Sequence, residues 1–300
     1  MSCTQRNDTN ESRKGGAPKG GAHVGSEAVV ALVDAVLGVA EELYRDFEWR
    51  RTADPYRVLV SEVMLQQTQT VRVIRYYARW IEKFPTFDAL AAASTLDVLE
   101  AWQGLGYNRR ALALHECAKQ VSTLHAGRLP QNVEELVALP GIGPATAAGV
   151  LAFAFNEPSV YLETNVRTVV LHEVWPDREN VGDKEVSAIV EAAAALIASR
   201  GIDSRVWNYA LLDYGAWLKK MFPNPSRRSK HHTKQSAYEG SRRQKRARLL
   251  RVMLDVPDGT ATYYARECSY GIDVVDDVMG SLCEEGFAVC DETGRYSIKN

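Results

Sequence analysis

The 300-residue sequence predicts an all-α fold for most of its length, followed by a small winged-helix-like unit at its C-terminal end. Three observations predict this. Apolar residues recur at three-to-four spacing from about residue 25 to 222, and strand signals are missing from that span. The string Leu139-Pro140-Gly141-Ile142-Gly143 sets a tight turn between two helical segments. Last, residues 244–300 change character and end in two short alternating runs.

Taken in order, residues 1–24 are rich in Gly, Ser, Lys and Asn and are expected to be a disordered tail. Helical periodicity then runs through SEAVVALVDAVLGVAEELYRDF, through PYRVLVSEVMLQQTQTVRVIRYYARWIEKF, and through TLDVLEAWQGL, RRALALHECAKQVSTLHAG and KEVSAIVEAAAALIASRG. Asp54 followed by Pro55 has the form of an N-cap and first turn, and Gly127 that of a helix stop. Pro223, Asn224 and Pro225 end the pattern, and residues 223–243 are expected to be a basic linker. Beyond it the sequence predicts helices at 244–254, 260–267 and 272–285, then strands at FAVCD and RYSIKN joined by Glu292-Thr293-Gly294.

No apolar run approaches the ~20 residues of a membrane span, which excludes that class. The N-terminal residues hold no apolar stretch of the kind a secretory signal needs. Cys3, Cys117, Cys268, Cys283 and Cys290 are scattered without paired metal-type spacing, so reduced thiols in a prokaryotic cytoplasm are expected. A net charge of −2 hides an uneven distribution: residues 227–248 carry nine basic side chains against one acid, while 249–300 are strongly acidic. The basic run is either a polyanion contact or a solvated linker. His172 and Trp175 are expected to pack in the core, and Asp213 to cap or hydrogen-bond in the interior. His231 and His232 lack the companions of a metal site.

Three features carry chemistry. In LPGIGPATAAGV the glycines at 141 and 143 permit close approach of a ligand to the backbone. The helix starting at Pro144 then offers free N–H groups and a positive dipole end, including those of Ala145 and Thr146. Such a helix–hairpin–helix holds a backbone phosphate without reading sequence. Glu62 lies among Val58, Leu59, Leu65 and Gln66 on a helical stripe. Either it is a desolvated acid with a raised pKa suited to general-acid work, or it is a surface residue. Glu163, with Thr164 between, precedes the helix NVRTVVLHEVW; it is either a cap or a carboxylate held anionic by the helix N-terminus. One acid near neutrality and one ionised is the arrangement that glycosidic chemistry uses.

The strings SEVMLQQTQT (61–70), WQGLGYNRRA (102–111), LPGIGPATAAGV (139–150) and LETNVRTVV (162–170), in this order, resemble the helix–hairpin–helix DNA glycosylase superfamily and, within it, the MutY adenine glycosylases. The resemblance spans about residues 25–220. It implies two helical subdomains with a cleft that accepts a flipped base, and double-stranded DNA with a mismatch or lesion as partner. By position, Glu62 matches the acid that protonates the adenine ring and Glu163 the aspartate that stabilises the cationic sugar. Gln66 and Gln67 match residues that approach or enter the base stack, and Tyr107 the wedge tyrosine. A monovalent cation at the hairpin is a further possibility in such relatives.

Four departures accompany these matches. Glu stands for Asp at 163, a reach longer by about 1.5 Å where sites are sensitive to about 0.5 Å. Ala145 replaces the Schiff-base lysine of bifunctional relatives, so simple hydrolysis is expected. Residues 213–240 contain no cysteine where an iron–sulfur loop usually follows, so no cluster is expected. The C-terminal unit is not the Nudix-like module that reads 8-oxoguanine. The expectation is therefore a monomeric, monofunctional glycosylase at the nucleoid, acting on adenine opposite 8-oxoguanine or guanine. Alternatives are hypoxanthine, uracil or thymine opposite guanine, and a damaged-DNA-binding protein without catalysis.

Overall fold

The computed structural model describes residues 25–231 and 237–299; the tail expected over 1–24 and His232 lie outside the described residues. Helix α1 (Ser26–Gly38) buries Val29, Leu32, Val33 and Val36 on one stripe. A kink at Val39 separates it from the single turn α2 (Ala40–Leu43). A short 3-10 turn, Glu48–Arg50, then leads to Asp54, whose carboxylate accepts from the Arg57 amide and opens α3 (Pro55–Leu65) as its sequence signature predicts.

The long periodic stretch after Pro55 is two helices, α3 and α4 (Thr70–Lys83), divided at residues 66–69, where Gln67 takes a positive φ of 52°. Next come α5 (Phe87–Ala91), α6 (Thr95–Trp102), α7 (Arg109–Leu124), α8 (Val133–Ala138) and α9 (Pro144–Ala154). Ser94 and Asn132 cap α6 and α8 by accepting third-residue amides. In this first group α3 packs on α4, α7 and α9, while α5 and α6 cover α7. Its centre is aromatic: Trp80 stands edge-on to Trp102 at 5.2 Å and to Phe84 at 4.9 Å.

The second group joins α10 (Thr164–Glu173), α11 (Asp183–Ser199) and α12 (Ser204–Met221) to α1 and α2. Gly215 allows α12 its approach to α10, because a Cβ there would lie 2.7 Å from the Asn165 carbonyl carbon. Helices α9 and α12 connect the two groups. The chain segment passing between them is pinned by Asp213, a buried carboxylate that accepts from Arg50 at 2.6 and 2.9 Å and from Arg45 Nε at 2.5 Å. Every charge in this interior cluster has a partner, which buried ions require. Trp175 is buried as expected, whereas His172 is only half-buried and lies against the Phe222 ring.

The segment expected as a basic linker has structure in its first half. Residues Pro225–Arg228 form a 3-10 turn against α10, and Arg228 donates to the carbonyls of Leu171 and Trp175, closing that helix's C-terminal end. Helix α13 (Arg242–Asp255) then takes up the second half of the basic run. It is followed by β1 (Gly259–Thr260), α14 (Ala261–Cys268), α15 (Ile272–Glu284), β2 (Ala288–Cys290) and β3 (Arg295–Ile298). The strands form one antiparallel sheet in the order β1-β3-β2. Sequence periodicity located the three helices and the hairpin but missed β1, which is two residues long and has no alternation to detect. The unit packs on α6 through α13. No helix among the described residues is long and apolar enough to cross a membrane.

Candidate active site

Glu62 sits in the third turn of α3, facing α9. Its neighbours Val58 and Leu59 are fully packed, and burial pushes its carboxyl up from 4.5 to about 7. Repulsion from Glu163 adds to the rise, while the Tyr161 hydroxyl, donating to Oε2 at 2.9 Å, and the nearby Arg50 charge oppose it. Room for the carboxylate comes from Gly149 in the middle of α9: any Cβ there would collide with Oε2 of Glu62 and lie 3.0 Å from the Tyr161 ring. Below Tyr161, Phe153 stacks on Tyr209 at 4.5 Å, and the Arg50 guanidinium lies 4.3 Å from the Tyr209 ring.

Glu163 is the N-cap of α10; its Oε1 accepts the amides of Asn165 at 2.5 Å and Val166 at 3.1 Å. It therefore caps the helix and also faces the same interior as Glu62, since the charge of each bears on Tyr161. The expected pull of the helix N-terminus towards the ionised form is present, and a larger opposing effect accompanies it. Burial raises its pKa, and the Lys219 ammonium and the two amides only partly offset this. Both carboxyls are thus raised, and the contrast between them is one of degree. Lys219, on α12, was missed by sequence reasoning because the last turn of a helix is an ordinary place for lysine.

In the hairpin, Gly141 adopts φ +77°, and a Cβ there would stand 2.8 Å from the Ala113 methyl. Gly143 differs: its φ is −87° and the space around its Cα is open, so glycine serves here for access rather than for conformation. Gly141, Gly143 and Ala145 are exposed, and the first-turn amides of Ala145 and Thr146 have no preceding helical turn to bond. The Thr146 side chain is buried, however, and its hydroxyl accepts from Gln66 Nε2 at 3.0 Å. Only its amide is available at the hairpin.

Gln66 ends α3, and the exposed Gln67 occupies the left-handed region. Tyr107 also has a positive φ, 49°, and is 37% exposed, unusual for a large aromatic ring. One residue that sequence reasoning passed over organises both loops. Arg110 donates through Nη1 to the carbonyls of Val63 at 2.7 Å, Met64 at 3.0 Å and Gln66 at 2.7 Å. Through Nη2 it donates to Thr68 Oγ1 and the Gly106 carbonyl, each at 3.0 Å. It satisfies the open C-terminal carbonyls of α3 while tying residues 63–68 to the Gly106–Tyr107 turn.

A groove of about 210 Å³ is lined by Leu59, Val63, Gln66, Arg110, Cys117 and Gly141, among others. Glu62 and Glu163 do not line it; it lies between α3, α7 and the hairpin.

The family model of the HhH-GPD superfamily of base excision DNA repair proteins matches residues 60–194, the span that holds both carboxylates and the hairpin. The chain belongs to this superfamily and is MutY-like within it. It is a DNA N-glycosylase, with DNA as its partner. It is 37% identical over 243 residues to the adenine DNA glycosylase of Mycobacterium tuberculosis, covering 73% of this chain and 77% of that one. With the adenine DNA glycosylase of Mycolicibacterium smegmatis the identity is 35% over 284 residues, covering 85% and 91%. Among solved structures, a thermostable thymine-DNA glycosylase superposes with a TM-score of 0.56 at 27% identity, over 63% of this chain and 87% of that one.

Proposed function

We propose that this chain removes adenine mispaired with 8-oxoguanine or guanine, by hydrolysis and without strand cleavage. The observation that carries the reading is Glu62, a carboxyl raised to about 7 that shares one interior with Glu163. Protonated Glu62 donates to a ring nitrogen of the flipped base as the C1′–N bond breaks and its electron pair passes to the base. The cationic sugar is steadied by Glu163 in its ionised form, which Lys219 and two amides favour against burial. Water adds at C1′ and yields its proton to the Glu62 carboxylate, restoring the acid. Products are the free base and an abasic deoxyribose. Ala145 offers no amine for an imine with that sugar, which supports simple hydrolysis.

In this reading Gln66, Gln67 and Tyr107 fill the space left by the flipped nucleotide. Gly141, Gly143 and the amides of Ala145 and Thr146 hold a phosphate. The protein acts as a monomer at the bacterial nucleoid, in keeping with a pair of acids supplied by one chain and with its bacterial relatives. The residues at hand do not fit an iron–sulfur cluster. Residues 213–240 hold no thiol; Cys117 is buried in α7, and the remaining described cysteines belong to the C-terminal unit. The C-terminal unit, with its helix-strand-helix-helix-strand-strand order, is taken as winged-helix-like.

A panel of duplexes carrying adenine opposite 8-oxoguanine, adenine opposite guanine, hypoxanthine, and uracil or thymine opposite guanine tests this. Release of adenine alone supports it. The likeness to a thymine-DNA glycosylase favours one second reading, excision of a pyrimidine opposite guanine, and release only from those duplexes would replace the adenine assignment. Lesion binding without any abasic product under single-turnover conditions would overturn catalysis altogether.

A further inference from the structure

The C-terminal unit does not sit apart from the DNA-probing loops. Glu285, at the end of α15, accepts from Arg109 at 2.7 Å and from both terminal nitrogens of Arg246 at 2.7 Å. Arg109 opens α7 two residues after Tyr107, and Arg246 lies on α13, so a single carboxylate fastens α13 and α15 beside the tyrosine. One helical turn before Arg246, Arg243 reaches the tyrosine itself. Its Nη1 donates to the Tyr107 hydroxyl at 2.8 Å, and its guanidinium carbon lies 5.9 Å from the ring centroid. Arg110 approaches the same ring at 5.5 Å. A side chain on a left-handed backbone position, partly exposed, is thus gripped at its hydroxyl by a residue of the other unit.

We propose that Arg243 is a positioning residue for the Tyr107 wedge, so that the C-terminal unit takes part in probing the duplex. The proposal rests on the wedge role assigned to Tyr107 above. A free phenol samples several rotamers and loses them on entering a base stack. One already held at its hydroxyl gives up less, and holding one such side chain is worth about two- to tenfold in the inserted population. The hydroxyl is the shared atom, so Tyr107→Phe and Arg243→Ala both remove this hydrogen bond, and Arg243→Ala also removes the guanidinium from over the Tyr107 ring.

The test uses the full-length chain and a duplex in which 2-aminopurine, which brightens on unstacking, neighbours the mispair identified by the panel. Arg243→Ala and Tyr107→Phe are each expected to lower the 2-aminopurine signal and single-turnover excision about two- to tenfold. The double variant should be no worse than either single one. Arg243→Lys, which keeps a donor, should recover part of the signal, and the pH profile should stay that of the parent, since Glu62 is untouched. Independent, multiplying losses would overturn the proposal. So would an Arg243→Ala variant that weakens binding of mispaired and fully paired duplexes equally, since that is the behaviour of a phosphate contact. Tyr107→Ala separates the two readings. If it leaves the signal and excision unchanged, the wedge assignment itself is wrong; if it abolishes the signal while Arg243→Ala is silent, only the role of Arg243 fails.

Discussion

Replacing Glu62 by glutamine keeps the side-chain shape and the acceptor for Tyr161 but removes the ionisation, and the two readouts should move in opposite directions. Excision should fall by orders of magnitude, because the departing base loses its proton donor. Stability should rise. The unfolded chain releases this proton near 4.5 and the folded chain near about 7, so between those values the folded state binds more protons and parental stability falls as pH increases. A rise of that size corresponds to about 3 kcal/mol, at about 1.4 kcal/mol per tenfold change in proton affinity. The carboxylate keeps some solvent contact, so about 2 kcal/mol is the fairer expectation. Glutamine does not titrate. Its advantage should be absent below about pH 4.5, grow through the window and level off above about pH 7. Chemical denaturation at pH 5, 6, 7 and 8 measures it, and a gain of about 2 kcal/mol corresponds to roughly 3 °C in Tm for a chain of 300 residues. An advantage of equal size at pH 5 and pH 8, or none at either, would refute the picture of Glu62 as a strained, desolvated acid.

Other outcomes follow from the same geometry. Tyr161→Phe deletes the one hydrogen bond that favours the charged form of Glu62, so the alkaline fall in single-turnover excision, set by loss of the Glu62 proton, should move to higher pH by up to about one unit. Gly149→Ala drives a methyl into Oε2 of Glu62 and should cost more than a hundredfold in excision; its folded state should survive by small shifts of α9, with intact far-UV circular dichroism as the check. Arg110→Met strips the C-terminal carbonyls of α3 of their donor and should destabilise by about 2–4 kcal/mol in urea unfolding, with duplex binding weakened as well. Lys219→Met removes the cation facing Glu163, pushing that carboxyl further up; the loss of excision should grow as the pH is lowered, because Glu163 then takes up its proton more readily than in the parent.

How far these features were legible in the sequence depended on where their causes lay. The cap at Asp54, the hairpin glycines and the apolar stripe beneath Glu62 are local, and short spacings announce them. The break at 66–69 has no local signal. Gln-Gln-Thr-Gln continues a helix tolerably well, and the carbonyls that the break leaves open are met by a guanidinium 44 positions from Gln66 along the chain. Gly149 has the same character: in sequence it is a weak point in an alanine-rich helix, and only the carboxylate across from it explains its presence. Tyr161 gives no signal in the sequence, because its hydroxyl matters only once Glu62 is opposite. At Glu163 the helix N-terminus that favours the charged form is visible in sequence, whereas the burial that opposes it is not.

Since one planar side chain at 110 is bonded at once to residues 63, 64, 66, 68 and 106, the loops that carry Gln67 and Tyr107 lack separate hinges. On the role proposed for these two side chains, they would enter a double helix together, in a single stroke, so that an intact base pair would face both and a weakened pair would yield to both at once.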